Sequence, residues 1–359
     1  MRAARKLAAF VAAVLFQPNI ASAQAPVPAR DAHLLVAAQG SVVLRRASWS
    51  VPVPVGPGAV LHRGDLVSAA AGGRATVACA DLTLHELPEG RFSGVPCAVP
   101  EKATLVYEGS LLAATRGDES DELPLVIAPR RTKVLSLRPL LRWSVPSGAG
   151  TVMVTVKGPG VAWSVRPPIG SMSLAYPADA PALQAAASYR VTVTAGGRSS
   201  DEAAEPGSGF TLLAGAAADE TRAGVERIGT LGLGADAARL LTAHFLAARG
   251  LYAEAVEQLE AAALAPRVLL TLGALYQSMG LPRLAEERHL QAAKAATTTG
   301  DVEAQALAQL ALGALYLDAF GLRDNAARAF ADAAVLFGKF GDSAAAAQAR
   351  EKASHAKGS

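Results

Sequence analysis

The chain has 359 residues, of which 51% are hydrophobic and only 5% aromatic, and its formal net charge is +3. This length exceeds what one compact core holds and suits two or three domains, and the composition excludes a disordered chain. Part of the small positive excess lies in the first six residues. A basic surface of the kind that binds nucleic acid or an anionic membrane is therefore not expected.

The first residues have the layout of a secretory signal. Arg2, Arg5 and Lys6 precede an apolar run at residues 7–16, and a stretch of small residues ends at Ala23. This layout predicts a signal peptide over residues 1–23 with cleavage after Ala23, and a soluble periplasmic or secreted product. The apolar run is short for a membrane span, which needs about 20 residues. An uncleaved anchor is the alternative, and no later segment is long and apolar enough to span.

After a Pro- and Ala-rich linker at residues 24–33, short apolar runs alternate with Gly and Pro, which predicts a β-rich domain at residues 34–115. The strands are expected near residues 34–36, 41–44, 65–67 and 75–79. The cysteines of the chain are Cys79 and Cys97, and export favours a disulfide between them. Two free thiols are the alternative, because a metal site would need further ligands nearby.

Residues 55–68, which read VGPGAVLHRGDLVS, are followed by GGRATV at residues 72–77 and by Asp81. This succession resembles the FecR-type periplasmic domain, with Ser68 and Leu82 as departures from its pattern. The resemblance implies a periplasmic binding module. In well-known members of that family the domain relays a signal between an outer-membrane receptor and an inner-membrane regulator, so a FecR-like signalling regulator is one alternative function.

A second β-rich region follows the acidic segment at residues 117–122 and is expected at residues 124–213. Apolar and polar residues alternate at residues 152–156 and 189–193, which predicts half-buried strands. The spacing of Leu183 and Tyr189 resembles the tyrosine corner of immunoglobulin-like and fibronectin type III sandwiches, with Trp143 as the core tryptophan. Alternatively, Trp143, Trp163 and Tyr189 form a platform that binds carbohydrate.

Residues 217–355 are Ala-rich, contain few Pro, and repeat internally. The sequence LGALY occurs at residues 272–276 and again at residues 312–316, and Gly-Asp recurs at Gly300 and Gly341. Small and large residues recur in the same order in three predicted second helices: Ala255, Leu259, Ala262; Ala285, His289, Ala292; Ala326, Phe330, Ala333. Small residues allow two helices to approach within roughly 8–10 Å. The chain is thus predicted to be multidomain, β then α.

This recurrence resembles a tetratricopeptide repeat array, including its variety with a period near 40 residues. The resemblance implies that the first helices of the hairpins line a concave face that binds a protein partner. The residues expected on that face are His244, Ala248, Arg267, Gln277, Ser278, Gln309 and Asp318. The alternative is that these residues are ordinary surface and that the array packs against the β modules.

Catalytic patterns are missing from the sequence. The six histidines are scattered without metal-ligand spacing, and no nucleophile elbow or phosphate-binding loop occurs. We therefore expect no enzyme, no cofactor and no metal. The expected function is an exported scaffold or adaptor that mediates protein–protein interaction in a bacterial cell envelope. The alternatives are a protein that binds glycan or peptidoglycan of the cell wall and an enzyme whose site is assembled from distant residues.

Overall fold

The computed structural model describes residues 32–98, 122–203 and 209–358. In the described residues, β-strands are followed by eight α-helices that begin at Gly215 and end at Lys357. The predicted β-then-α layout is therefore confirmed. The predicted signal peptide, almost all of the linker and most of the acidic segment lie outside the described residues.

The first β module, residues 32–98, consists of two four-stranded antiparallel sheets. One sheet has the order β4-β1-β6-β7 and the other the order β3-β2-β5-β8. The predicted strands correspond to β1, β2, β5 and β6, and their alternating residues are buried between the sheets. The strands are β1 His33–Gln39, β2 Val42–Arg45, β3 Val53–Pro54, β4 Val60–Leu61, β5 Leu66–Ala69, β6 Arg74–Ala78, β7 Leu84–Leu87 and β8 Ser93–Gly94.

A disulfide joins Cys79 and Cys97, whose Cα atoms are 5.5 Å apart, so the predicted pairing is confirmed. The predicted turn before β5 has Gly64 at a φ of +93°, a conformation that glycine adopts without strain. The next residue, Asp65, accepts a hydrogen bond from the backbone N–H of His62 at 3.0 Å. The Gly-Asp pair therefore closes this turn, which is a structural reason for its presence.

The second β module, residues 122–203 and 209–213, contains a sheet of order β10-β17-β15-β12-β13, with β16 beside β15, and a sheet of order β14-β11-β9. Strands β10 and β17 are parallel, and the other neighbours are antiparallel. The strands are β9 Leu125–Ala128, β10 Thr132–Val134, β11 Leu140–Ser144, β12 Val152–Gly158, β13 Val161–Val165, β14 Ser173–Ala175, β15 Ser188–Ala195, β16 Arg198–Ser199 and β17 Gly209–Leu212.

The aromatic residues of the second β module belong mainly to its core. Trp143 is 1% exposed and Tyr189 is 3% exposed, while Trp163 is half-buried and packs edge-on against Tyr176. The Tyr189 hydroxyl accepts a hydrogen bond from the backbone N–H of Gln184 at 2.6 Å. Trp143, Trp163 and Tyr189 therefore do not form an exposed platform.

The helices pack as consecutive pairs joined by short turns. Their bounds are α1 Gly215–Gly229, α2 Ala235–Ala247, α3 Tyr252–Glu260, α4 Pro266–Ser278, α5 Pro282–Thr299, α6 Val302–Ala314, α7 Arg323–Lys339 and α8 Ser343–Lys357. The small residues predicted at helix contacts are buried, and a Cβ at Gly273 or Gly313 would collide with the ring of His289 or Phe330 respectively. Close approach of α4 to α5 and of α6 to α7 thus requires glycine.

A π-helical turn, Leu315–Ala319, continues α6 and makes the third hairpin, α6 and α7, one residue longer at this point than the second hairpin, α4 and α5. Three residues lie between Tyr276 and Gly280, whereas four lie between Tyr316 and Gly321. The corresponding backbone bonds are preserved, since Leu281 donates to the Tyr276 carbonyl and Leu322 donates to the Tyr316 carbonyl. The third hairpin therefore holds one extra residue as a π turn.

We predict that deleting Asp318, an exposed residue of the π turn, leaves the array folded. The deletion returns the third hairpin to the spacing of the second, so the free energy of unfolding should fall by about 1 kcal/mol or less. Deleting the exposed Glu287 in the middle of α5 is the matched control. It rotates the rest of the helix and misplaces its buried alanines, which should cost about 4 kcal/mol or more. Urea denaturation measures both, and equal losses would contradict the assignment.

Candidate functional site

The first β module packs against the first helices of the hairpins, which is the side of the array predicted to bind a partner. Strand β1 contacts α2 and strand β3 contacts α6. One hydrophobic core holds residues of both module and array, among them Leu44 and Val67 from the module and Ala306, Phe337 and Ala349 from the helices. The array and the first β module are therefore parts of one packed body.

A buried network of charges crosses this interface. At the start of α4, the guanidinium of Arg267 donates to Asp301 at 2.7 and 2.8 Å and to Glu303 at 2.7 Å. From the β module, Arg46 also donates to Glu303 and lies 3.3 Å from Asp65. Arg267, Asp301 and Glu303 are each at most 5% exposed. We call these five residues the interface charge network.

The network keeps Glu303 and Arg267 ionised although both are buried. Burial opposes the charge of Glu303, but Arg267 and Arg46 outweigh that penalty and hold the pKa of its carboxyl below its ordinary value. Burial likewise opposes the charge of Arg267, and Asp301 and Glu303 outweigh it and raise the pKa of the guanidinium. Removal of one partner would leave uncompensated charge in the interior.

The recurring Gly-Asp pairs lie at the same interface. Asp301 caps α6 by accepting from the N–H of Ala304, and Asp342 caps α8 by accepting from the N–H of Ala345. Each carboxylate also binds outside its own helix: Asp301 holds Arg267, and Asp342 accepts from the indole Nε1 of Trp49 at 3.2 Å. The two pairs therefore start a helix and fasten a neighbouring element at once.

The second β module is held by the turns that end the first helices. The Thr132 hydroxyl accepts from the backbone N–H of Tyr252 at 2.8 Å, and the backbone N–H of Lys133 donates to the Gly250 carbonyl at 2.8 Å. The Glu254 carboxylate accepts from the backbone N–H groups of Leu135 and Ser136 at 2.9 Å. These bonds fix β10 against the turn from α2 to α3.

Two further residues of the predicted face, Gln277 and His244, are buried. The Nε2–H of His289 donates to the Gln277 side-chain oxygen at 2.9 Å, so this oxygen is engaged by a residue of the same chain. Neither ring nitrogen of His244 has a hydrogen-bond partner among the described residues. Burial lowers the pKa of His244 from 6.5 to about 4 and that of His289 to about 3.

The structure thus divides the predicted set. His244, Arg267 and Gln277 are buried, Ser278 and Gln309 are half-buried, and Ala248 and Asp318 are exposed. The described residues do not bring the seven side chains together on one open surface. The sequence does not group Arg46, Asp65, Asp301 and Glu303, because their convergence depends on how the β module docks.

Among the described residues, one cluster has the side chains and spacing of a metal site. It consists of His33, Cys79 and Cys97, whose ligand atoms lie within 4.8 Å of one another. The two sulfurs are bonded to each other and are not thiolates. The Nδ1 of His33 accepts from the backbone N–H of Ala80 at 3.2 Å. The cluster is therefore a disulfide with a histidine packed beside it.

Comparison with known proteins adds no family to these observations. No protein-family model matches the sequence, and no curated protein matches it. Within the described ranges, no helix combines the length and the hydropathy that crossing a membrane requires.

We predict that Arg267→Met lowers the free energy of unfolding by about 3–5 kcal/mol, because Asp301 and Glu303 would keep buried charges without their main partner. Arg350→Met, at an exposed position of α8, is the matched control and should stay within about 0.5 kcal/mol of wild type. Denaturant unfolding of the two variants measures the difference. Equal stability would show that the network contributes nothing to the fold.

The buried histidines predict an acid-sensitive stability. In the unfolded chain they bind protons below about pH 6.5, whereas in the folded chain they do so only near pH 4 and pH 3. The stability from each neutral ring is therefore complete above pH 6.5 and is lost as pH falls toward the folded value, with a slope near 1.4 kcal/mol per pH unit.

The third hairpin offers the variant that tests this titration. It carries Leu317 and Phe330 where the second carries Gln277 and His289. We predict that Gln277→Leu with His289→Phe preserves the fold. Between pH 6 and 5 the free energy of unfolding should depend less steeply on pH, by about 1.4 kcal/mol per pH unit, because one fewer proton is taken up on unfolding. The exposed His355→Gln is the control and should leave the slope unchanged. An unaltered slope in the double variant would contradict the prediction.

Proposed function

We propose that this protein is an exported, non-enzymatic scaffold or adaptor that holds a partner protein in a bacterial cell envelope, and that the outer helices of its array contribute to the contact. The observation that supports the proposal is the packing of three elements into one body by buried apolar and charged contacts. Such a body presents a fixed surface, which favours binding without a large ordering cost.

The side of the array that remains open differs from the side inferred from the repeat pattern. The first β module packs on the first helices, with β1 against α2 and β3 against α6, and α4 and α6 are buried along most of their length. The second helices α5 and α7 keep an exposed side with isolated apolar residues: Leu290 is 49% exposed and Val335 is 63% exposed. A partner that covers these side chains would remove them from water, which is favourable.

Site-resolved crosslinking tests the proposal. A photoreactive amino acid at Leu290 or Val335 in the full-length chain is expected to capture one protein partner in the envelope fraction, in roughly stoichiometric amount. The same residue at Ala248 and Asp318 probes the exposed remainder of the predicted face, and Met153 on the second β module is the matched control. Capture at an array position supports the proposal.

Two results would show that the assignment of partner binding to the array is wrong. In one, no array position captures a protein; in the other, Met153 captures the same proteins in the same amounts. Truncation is unsuitable here, because removal of the array would expose the core that it shares with the first β module. Retention on insoluble peptidoglycan without any protein crosslink would favour the glycan-binding alternative.

A further inference from the structure

A crevice with a volume of about 280 Å³ lies between the second β module and the helices α2 and α3. Residues 134–136 and 138–140 of the module form one side, and side chains of the two helices form the other. Most of the lining is apolar, with Val134, Leu140 and Leu246 among its residues. Small-molecule sites commonly combine such a lining with a few placed polar groups, and the volume is close to the lower end of their range.

The two sides of the crevice are held in place by bonds within the chain. The Glu254 carboxylate of α3 accepts from the backbone N–H groups of Leu135 and Ser136 at 2.9 Å. The backbone N–H of Arg138 donates to the Ser136 hydroxyl at 3.0 Å, which fixes the loop before β11. The crevice therefore keeps its shape without a ligand.

One hydroxyl in the lining is buried and has no partner. Thr242 of α2 is 8% exposed, and its hydroxyl forms no hydrogen bond within the part of the chain that the structure describes. The helical residues Thr221 and Thr271 differ, since each donates to the carbonyl four residues before it. Burial of a hydroxyl without a hydrogen bond costs free energy. A ligand in the crevice would supply the missing bond.

A carboxylate without a partner lines the same crevice. Glu257 of α3 is half-buried and has neither a hydrogen bond nor an ion pair with any described residue, whereas Glu260 is paired with Arg142 at 2.7 Å. Arg138 also lines the crevice, but it is exposed and does not pair with Glu257. Burial raises the pKa of the Glu257 carboxyl, and Glu254 and Glu260 add to this rise while Arg142 opposes it. A positive charge beside Glu257 is therefore favoured.

The unpartnered hydroxyl and carboxylate lie at the same level of the helix pair. The guanidinium of Arg239 in α2 donates to the carbonyl of Ala261, which directly follows α3, at 2.9 Å. Thr242 is about one turn along α2 from Arg239, and Glu257 is about one turn back along α3 from Ala261. Because α2 and α3 are antiparallel neighbours, these two steps bring Thr242 and Glu257 to facing positions.

The chemistry of the lining decides which kind of cation fits. A divalent metal ion needs six or more oxygen ligands, and within the described ranges the cluster with metal-ligand spacing is the one at His33. An ammonium group donates up to three hydrogen bonds, so it can bind both the Glu257 carboxylate and the Thr242 hydroxyl. The carbon chain of an amine would cover the apolar lining, which is favourable.

We propose that this crevice binds a small organic cation, a primary amine with an apolar body, through Glu257 and the hydroxyl of Thr242. The proposal is independent of the contact with a partner protein, because none of the crosslinking positions lines the crevice. Absence of amine binding would leave crosslinking at Leu290 or Val335 unaffected, and absence of a crosslink would leave amine binding unaffected.

Calorimetric titration of the full-length protein tests the proposal. The probes are hexylamine and phenethylamine, and each is compared with the alcohol that has a hydroxyl in place of the ammonium group, hexanol and phenylethanol. At least one amine is expected to bind saturably and at least about tenfold more tightly than its alcohol. The reason is that only the ammonium group forms a charge-assisted hydrogen bond with Glu257.

Glu257→Gln keeps the size of the side chain and removes its charge. It should weaken amine binding by at least about tenfold and abolish the preference for the amine over the alcohol. Glu351→Gln is the matched control, because it makes the same charge change at an exposed position of α8 outside the lining. Its affinity should stay within about twofold of wild type, since salt screens distant surface charges.

Thr242→Val keeps the shape of the side chain and removes the hydroxyl. The amine affinity should fall by about threefold or more, whereas the free energy of unfolding should not fall, because no hydrogen bond within the protein is lost. Urea denaturation measures the second quantity and verifies that Glu257→Gln is folded. Unchanged amine affinity in Thr242→Val would overturn the assignment of this hydroxyl to the site.

Three results would overturn the proposal as a whole. In the first, neither amine binds saturably. In the second, the alcohols bind as tightly as the amines. In the third, Glu257→Gln and Glu351→Gln weaken binding equally.

Discussion

The packing of the first β module against the helices depends on keeping two arginines and three carboxylates paired where water is largely excluded. Arg267 and Asp301 come from the array, Arg46 and Asp65 come from the module, and Glu303 binds both arginines. Separation of the two parts would leave charges in a partly desolvated setting, so the network opposes separation more than it adds net stability. It also specifies one docking geometry, because the Arg46 guanidinium must meet Asp65 of the module and Glu303 of α6 at the same time.

That geometry decides which surfaces are open. With the first β module on α2 and α6, and with Gly58 against Arg267 of α4, the array cannot offer the uninterrupted groove that a free-standing set of hairpins would have. Its open surfaces are the outer sides of α5 and α7 and the crevice between α2, α3 and the second β module. The helices thus have two sides: one side supports the β modules, and the other keeps exposed positions such as Leu290 and Val335.

Local features could be read from the sequence because local rules decide them. Alternation at β12 and β15, the helix-contact alanines and the disulfide follow from residue periods and composition. The exposure of the residues on the predicted face could not be deduced from such rules. Arg267 has the appearance of a surface residue in the repeat pattern, and it is buried because Gly58 of the first β module lies against it. Its partner Glu303 also binds Arg46 of that module. No local period records a contact between residues 257 positions apart.

The second and third hairpins differ in the chemistry of one contact between their helices. Where the second hairpin has Gln277 and His289, the third has Leu317 and Phe330, so the same position changes from a polar pair to an apolar pair. Burial of a histidine desolvates its ring nitrogens and favours the neutral ring, whereas burial of a phenylalanine carries neither cost. Similarly, the extra residue of the third hairpin is absorbed as a π turn, and the backbone bond from Leu322 to Tyr316 is kept. The array therefore conserves backbone connections and helix contacts from one hairpin to the next, while the chemistry inside each contact varies. A repeat pattern can locate such contacts, but the polar or apolar character of a contact is set by the neighbours that the whole fold brings to it.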